Sequence, residues 1–218
     1  METLQEFITD FIMPRRHNFV RRNPPAWIAD DNLRNIYVNT IGPWGSPDPV
    51  ECWILYKLAT LSKGNLLEIG SWRGRSSCFL AQGIKDSEGA FTRKLTCVDW
   101  FNGDATGGIN PSKEVMIQSL DKFGLTKLVT IFDQDMLKFD FEANTSDIDL
   151  VFYDADHQTQ PTTTVLKNMH PFLNEKCMVV LHDANWPMTI RAIRAVSAQY
   201  MHIKTLPVWE GLGVLVRK

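Results

Sequence analysis

The segment Leu66-Leu67-Glu68-Ile69-Gly70-Ser71-Trp72-Arg73-Gly74-Arg75-Ser76 constrains the fold more than any other part of the chain. It reads as a short apolar strand ending on an acid, a turn carrying two glycines, and a helix opened by small polar residues. Gly70 and Gly74 lack Cβ atoms and so leave room for a ligand at the strand's carboxyl end. Free amides at the helix start suit an anionic group such as a carboxylate. Glu68, just before the turn, points to a positive charge on the same ligand. A junction with purely structural glycines carries the same signature, because short glycine motifs are weakly specific.

The rest of the chain from about residue 50 repeats this strand–helix alternation. Strands are expected at 66–69, 95–98, 128–132, 149–153 and 177–181, with helices at 49–61, 76–84, 112–123, 162–173 and 187–200. Near-continuous apolar strands separated by helices imply a parallel sheet covered on both faces. The last two strand-like segments, 202–208 and 211–216, are joined by a link too short for a parallel crossover, so they should pair antiparallel. The first 48 residues differ. They hold Pro14, Pro24, Pro25, Pro43 and Pro47, and the cluster from Arg15 to Arg22 contains four arginines. That cluster could clamp an anion or form a solvated face, and Trp27 and Trp44 could line a substrate pocket or anchor the segment. The expected organisation is an N-terminal extension or lid, 1–48, followed by one domain, 49–218.

Composition narrows the class. At 218 residues the chain can bury a substantial core, and its 44% hydrophobic and 22% charged content is that of an ordinary globular protein. A formal net charge of −2 gives no electrostatic case for nucleic acid or anionic membranes. No apolar run approaches the roughly 20 residues that span a bilayer. The first residues carry Glu2, Glu6 and Asp10 rather than a basic, then apolar, leader. Cys52, Cys78, Cys97 and Cys177 are widely spaced and read as buried reduced thiols, so a cytoplasmic location is expected.

Glu68, Asp99, Asp135, Asp154 and Asp183 each fall at or just beyond the carboxyl end of an expected strand. In an open parallel sheet those ends line one rim, where ligands bind near the switch in strand order. One such aspartate is a common cap or turn former. Five together repel, and a sulfonium, an ammonium or a metal ion would relieve the strain. A ligand with carboxylate, ammonium and nucleoside parts is S-adenosylmethionine.

With these residues in view, 50–218 resembles a class I S-adenosylmethionine-dependent methyltransferase. It is most similar to the group with Asp-x-Asp-His after strand four and His-Asp after strand five, which includes macrocin-type O-methyltransferases and the cephalosporin hydroxylase-like family. The resemblance implies a Rossmann-like sheet of seven strands, mostly parallel with the last antiparallel, and O-methylation of a small molecule. It also implies roles. Glu68, Gly70, Ser71, Trp72, Gly74 and Ser76 would surround the methionyl end of the cofactor. Asp99 and the adjacent Trp100 would hold the ribose, and Asp135 and Met136 would contact the adenine. Asp154 would lie where the sulfonium and substrate meet, with His157, His182 and Asp183 as further catalytic candidates. His157 could equally cap the following helix or bond a backbone carbonyl.

Catechol-type relatives hold a divalent ion with an Asp after strand four and an Asp-Asn pair after strand five. Here Asp154 and Asp183 are present, but Ala184 follows and Asn185 is displaced by one. The carboxylates would suit Mg²⁺, whereas His157 and His182 would suit softer metals. Two rival readings remain at this level. A nicotinamide-dependent oxidoreductase shares the strand–turn–helix layout, though Trp72 stands where its second glycine would approach a pyrophosphate. A non-catalytic methyltransferase-like binding protein would keep the fold without turnover. The partner expected is a small-molecule substrate, with a second copy of the chain as a further candidate.

Overall fold

Alternating apolar strands and helices build a seven-stranded sheet with helices on both faces. The computed structural model describes residues 30–42, 46–103, 108–208 and 211–218; the Arg15–Arg22 cluster, Trp27 and Trp44 lie outside them. The strands are β1 Asn65–Ile69, β2 Leu95–Asp99, β3 Val129–Asp133, β4 Ile148–Tyr153, β5 Leu173–Leu181, β6 Tyr200–Leu206 and β7 Leu212–Arg217. The helices are α1 Asp31–Asn39, α2 Pro49–Leu61, α3 Arg75–Lys85, α4 Lys113–Lys122, α5 Phe141–Asn144, α6 Thr159–Met169 and α7 Pro187–Ala195. No helix among the described residues is long and apolar enough to cross a membrane.

The strand order is β3-β2-β1-β4-β5-β7-β6. β1 to β5 pair in parallel, and β7 runs antiparallel between β5 and β6. The order reverses between β1 and β4, so a crevice outside their carboxyl ends is the natural ligand position. Side-chain alternation divides the core into two layers. Leu66, Cys97, Leu150, Phe152, Met178 and Val180 face α2 and α3. Leu67, Ile69, Val151, Tyr153, Val179 and Leu181 face the layer of α6 and α7. The same alternation turns Glu68 toward the α3 side and, carried one residue past β4 and β5, directs Asp154 and His182 toward α2.

Local chemistry sets the helix starts. Asp48 caps α2 by accepting from the Glu51 amide at 2.8 Å, and the Glu51 carboxylate accepts from the Asp48 amide at 2.8 Å, a reciprocal capping box with Pro49 at the first helical position. This anchors Glu51 at the base of α2, where it is fully buried. Within α1, Leu33 and Ile36 are buried in the same apolar cluster as α2 and α3. Arg75, at the start of α3, donates to the Thr40 carbonyl at 2.6 Å and lies 4.4 Å from the Tyr37 ring centre. The described part of the N-terminal region is thus fastened to the sheet domain.

Several boundaries differ from expectation, and three have a clear cause. α6 starts at Thr159 rather than 162, because Pro161 sits in its first turn, where a missing amide costs no interior bond. β5 starts at Leu173, with a register irregularity opposite Ile148–Leu150. α7 stops at Ala195, since Tyr200 is claimed by β6 and its hydroxyl donates to the Leu166 carbonyl at 2.7 Å. All four cysteines are free and buried.

Because Phe152 is fully buried at the centre of the sheet, Phe152→Ala is expected to cost about 3–5 kcal/mol. Urea unfolding of the variant beside the parent checks this value.

Candidate active site

The turn after β1 is held by a carboxylate from β2. Asp99 Oδ2 accepts from the Ser71 and Trp72 amides, both at 2.7 Å, while its Oδ1 accepts from the Phe101 amide at 2.6 Å. Trp72 and Phe101 both take left-handed φ angles of 51°, an uncommon state for side-chain-bearing residues. One aspartate therefore fixes two strained turns at the sheet's carboxyl rim. Gly74 caps α3 with no side-chain hydrogen bond, so the helix's first amides face the rim without a capping group. An anionic group would find donors there.

Glu68 does not project into the open crevice. It is fully buried, and its Oε2 accepts from the Ser71 and Ser77 hydroxyls and the Cys97 thiol at 3.2 Å. Burial raises its pKa, partly offset by these donors. Among the described residues its Oε1 has no hydrogen-bond partner.

The glycines are required for a reason other than the one the sequence suggests. A Cβ on Gly70, whose φ is 91°, would stand 2.2 Å from the Asp154 carbonyl oxygen. One on Gly74 would stand 2.6 Å from Met116 Cγ. Both make room for the chain's own neighbouring segments. Trp100 is exposed beyond β2, whereas Asp135 and Met136 are half-buried beyond β3, with Asp135 accepting from the Leu137 amide at 2.9 Å.

Beside this turn, the ends of β4 and β5 bring the remaining candidates together. His157 Nε2 lies 2.8 Å from Asp183 Oδ2 and 3.9 Å from Asp154 Oδ1. His182 Nδ1 lies 3.2 Å from Asp154 Oδ1 and 3.3 Å from Asp183 Oδ1. On its other side, His182 Nε2 is 3.4 Å from Glu51 Oε2 and 3.2 Å from Ser46 Oγ. Asp183 itself adopts a left-handed φ of 53°. Burial disfavours charge on His182, but Asp154, Asp183 and Glu51 outweigh it and hold its pKa well above the ordinary histidine value. His157 is likewise raised, burial opposing and Asp183 and Asp154 prevailing. Burial would raise the Asp183 carboxyl, yet the two imidazoles bring it well below the usual range.

Glu51 and Ser46 were not among the sequence candidates. The Asp48-x-x-Glu51 spacing marks a helix start, and nothing local reveals that α2 packs against the end of β5. Asn185 is also not where an Asp-Asn metal pair would need it: its side chain lies against Gly211. A cavity of about 200 Å³ lined by Asn65, Lys94, Thr96 and Phe132 sits at the opposite, amino-terminal ends of the strands, away from all these groups.

Residues 67–184 match a family described as a methyltransferase domain. The fold is shared with an O-methyltransferase from Bacillus cereus in complex with SAH, at 17% identity over 100% of this chain and 98% of that one, with a TM-score of 0.62. It is shared with TomG, an O-methyltransferase from Streptomyces achromogenes involved in tomaymycin synthesis and in complex with SAM, at 18% identity, coverages of 87% and 90%, and a TM-score of 0.61. A SAH-bound methyltransferase from Podospora anserina aligns at 12% identity over 91% and 90% of the chains, with a TM-score of 0.61. No curated protein matches the sequence.

The clash at Gly70 makes Gly70→Val a folding defect, expected to cost about 3 kcal/mol or more. Gly103→Ala, with no described residue within 4 Å of the new Cβ, should be close to neutral. Thermal melts of the two variants measure the contrast.

Proposed function

This chain belongs to the methyltransferase domain family, and from that premise we propose that it is an S-adenosylmethionine-dependent O-methyltransferase acting on a small molecule. Within the family we assign it to the group with Asp-x-Asp-His after β4 and His-Asp after β5, here Asp154-Ala155-Asp156-His157 and His182-Asp183. The observation that carries the reading is the 2.8 Å His157–Asp183 pair on the same rim as the uncapped start of α3. The SAM and SAH bound by structural neighbours support the same cofactor. Four buried reduced thiols support a cytoplasmic location.

S-adenosylmethionine would supply an electrophilic methyl group from its sulfonium. In this reading the first amides of α3, with Gly74 and Ser76, receive the carboxylate, while Ser71 and Trp72, whose amides are bonded to Asp99, hold the turn beside it. Gly70 and Glu68 shape the turn beneath it. Asp99 uses three of roughly four lone-pair positions on backbone amides, which leaves one on Oδ1 for a ribose hydroxyl. Trp100 covers the ribose, and Asp135 and Met136 meet the adenine. Asp154 faces the sulfonium end. We assign 1–48 to an N-terminal extension beside the site, whose described end places Ser46 Oγ 3.2 Å from His182 Nε2.

His157 is the general base at pH values above its raised pKa, where the imidazole is neutral. Asp183 accepts its Nε2–H, so the proton is fixed on that nitrogen and Nδ1 carries the lone pair. Among the described residues no hydrogen bond occupies His157 Nδ1. Trp186 packs edge-on to the ring at 5.5 Å and restricts its rotation. Asp183 and His182 hold the base in place, and a substrate hydroxyl delivers its proton to Nδ1 as the methyl transfers. Orientation in a water-poor site supplies the rest of the acceleration.

Asp99→Ala is expected to weaken S-adenosylmethionine binding at least tenfold, about 1.4 kcal/mol. Calorimetry with that ligand and with NAD as a control is the test: tight NAD binding with none of the methyl donor overturns the assignment. Once a substrate is found in a hydroxylated-compound panel, His157→Ala should lower kcat by about 10²-fold with cofactor affinity nearly unchanged. Wild-type turnover in that variant removes His157 from the chemistry.

A further inference from the structure

We propose that Glu51 is a positioning residue for methyl transfer: from the first turn of α2, acting through His182 and Asp183, it fixes the orientation of His157. The inference rests on the assignment of His157 as the base. The contacts run in series. Glu51 Oε2 lies 3.4 Å from His182 Nε2, and His182 Nδ1 lies 3.2 Å from Asp154 Oδ1 and 3.3 Å from Asp183 Oδ1. Asp183 Oδ2 in turn lies 2.8 Å from His157 Nε2.

A helix cap does not account for Glu51. Glutamine completes a capping box as well as glutamate does, so the cap alone needs no charge. Glu51 is a carboxylate with no exposed surface, and such a group is stable only when paired. Its Oε2 accepts from the Asp48 amide at 2.8 Å and faces His182, while Oε1 has no partner among the described residues. The side chain that pairs with it is His182.

His182 needs that contact for its ring orientation. Its backbone is fixed, because its amide donates to the Tyr153 carbonyl at 2.9 Å, but the terminal torsion of a histidine is broad and leaves the ring to be set by its contacts. Asp154 and Asp183 hold the Nδ1 edge. Glu51, with Ser46 Oγ at 3.2 Å, holds the Nε2 edge. Asp183 has a left-handed φ of 53°, so regular strand geometry does not aim its carboxylate. Contacts on its two oxygens do: His182 holds Oδ1, which leaves Oδ2 directed at His157. Without Glu51 the ring turns, Asp183 loses its anchor, and His157 loses the partner that keeps its proton on Nε2.

Nuclear magnetic resonance of the protein with ¹⁵N-labelled histidine rings, free of methyl donor and substrate, tests the chain without turnover. The parent is expected to show a His157 Nε2 proton protected from solvent exchange. Glu51→Gln, which keeps the capping box, should exchange that proton at least about tenfold faster. In a His182→Gln background the same change should add little, because its effect passes through that ring. Glu51→Asp, whose carboxylate is withdrawn by one methylene, serves where Glu51→Gln does not fold and should act in the same direction. Glu175→Gln, exposed at the amino end of β5, should leave the proton unchanged. With an acceptor from the hydroxylated-compound panel, Glu51→Gln should lower kcat about tenfold with KM for the methyl donor nearly unchanged. An unprotected His157 proton in the parent, an unchanged one in folded Glu51 variants, additive effects of Glu51→Gln and His182→Gln, or a parental kcat in Glu51→Gln overturns the inference. A proton that depends on Glu51 beside wild-type turnover in His157→Ala overturns the base assignment instead, so the two failures are read apart.

Discussion

Asp183 divides one carboxylate between two histidines, and the geometry of the site depends on that division. Its Oδ2 holds His157 and its Oδ1 faces His182. To do this from the end of β5 it takes a left-handed backbone conformation, a strain that the surrounding packing must stabilise. The two imidazoles favour its ionised form, and the carboxylates in turn favour charge on the imidazoles. Neither set of groups would be stable in this partly buried position without the other. Pairing at the rim is therefore what permits three acids and two histidines to stand together where the strand order reverses.

A second carboxylate organises the neighbouring turn by the same logic. Asp99 gathers three backbone amides from two turns, which ties the loops after β1 and β2 to each other. The rim thus consists of a pinned half, at β1 and β2, and a charge-paired half, at β4 and β5. The Gly70 position joins them, because its missing Cβ lets the Asp154 backbone pass close by. Fold stability depends on that contact, and substitutions there disturb both halves of the rim.

The strand–helix alternation and the acids at strand ends were legible in the sequence because both are local patterns. Near-continuous apolar runs marked the strands, and the short link between the expected segments 202–208 and 211–216 marked their antiparallel pairing. What was not legible depends on contacts between distant segments. Gly70 announced a tight turn, but only the packing of β1 against the β4 loop reveals which atoms crowd it. Glu68 stood at a strand end, yet the pleat turns it inward onto Ser71, Ser77 and Cys97. Glu51 carried no signal of its own within the expected 49–61 helix, and its place beside His182 arises only once α2 docks beside β5. Helix ends shifted for a similar reason: Tyr200 has the apolar character to extend α7, but β6 pairing and the Leu166 carbonyl claim it.

The central claim is that the methyl donor occupies the rim between the β1 turn and the His157–Asp183 pair. A crystal structure of the protein with S-adenosylhomocysteine measures this directly. The account predicts the homocysteine carboxylate at the first amides of α3, a ribose hydroxyl on Asp99, and the sulfur facing Asp154 and His157. Density for the ligand elsewhere, such as the cavity beside Asn65 and Lys94, or its absence at saturating concentration, would contradict it.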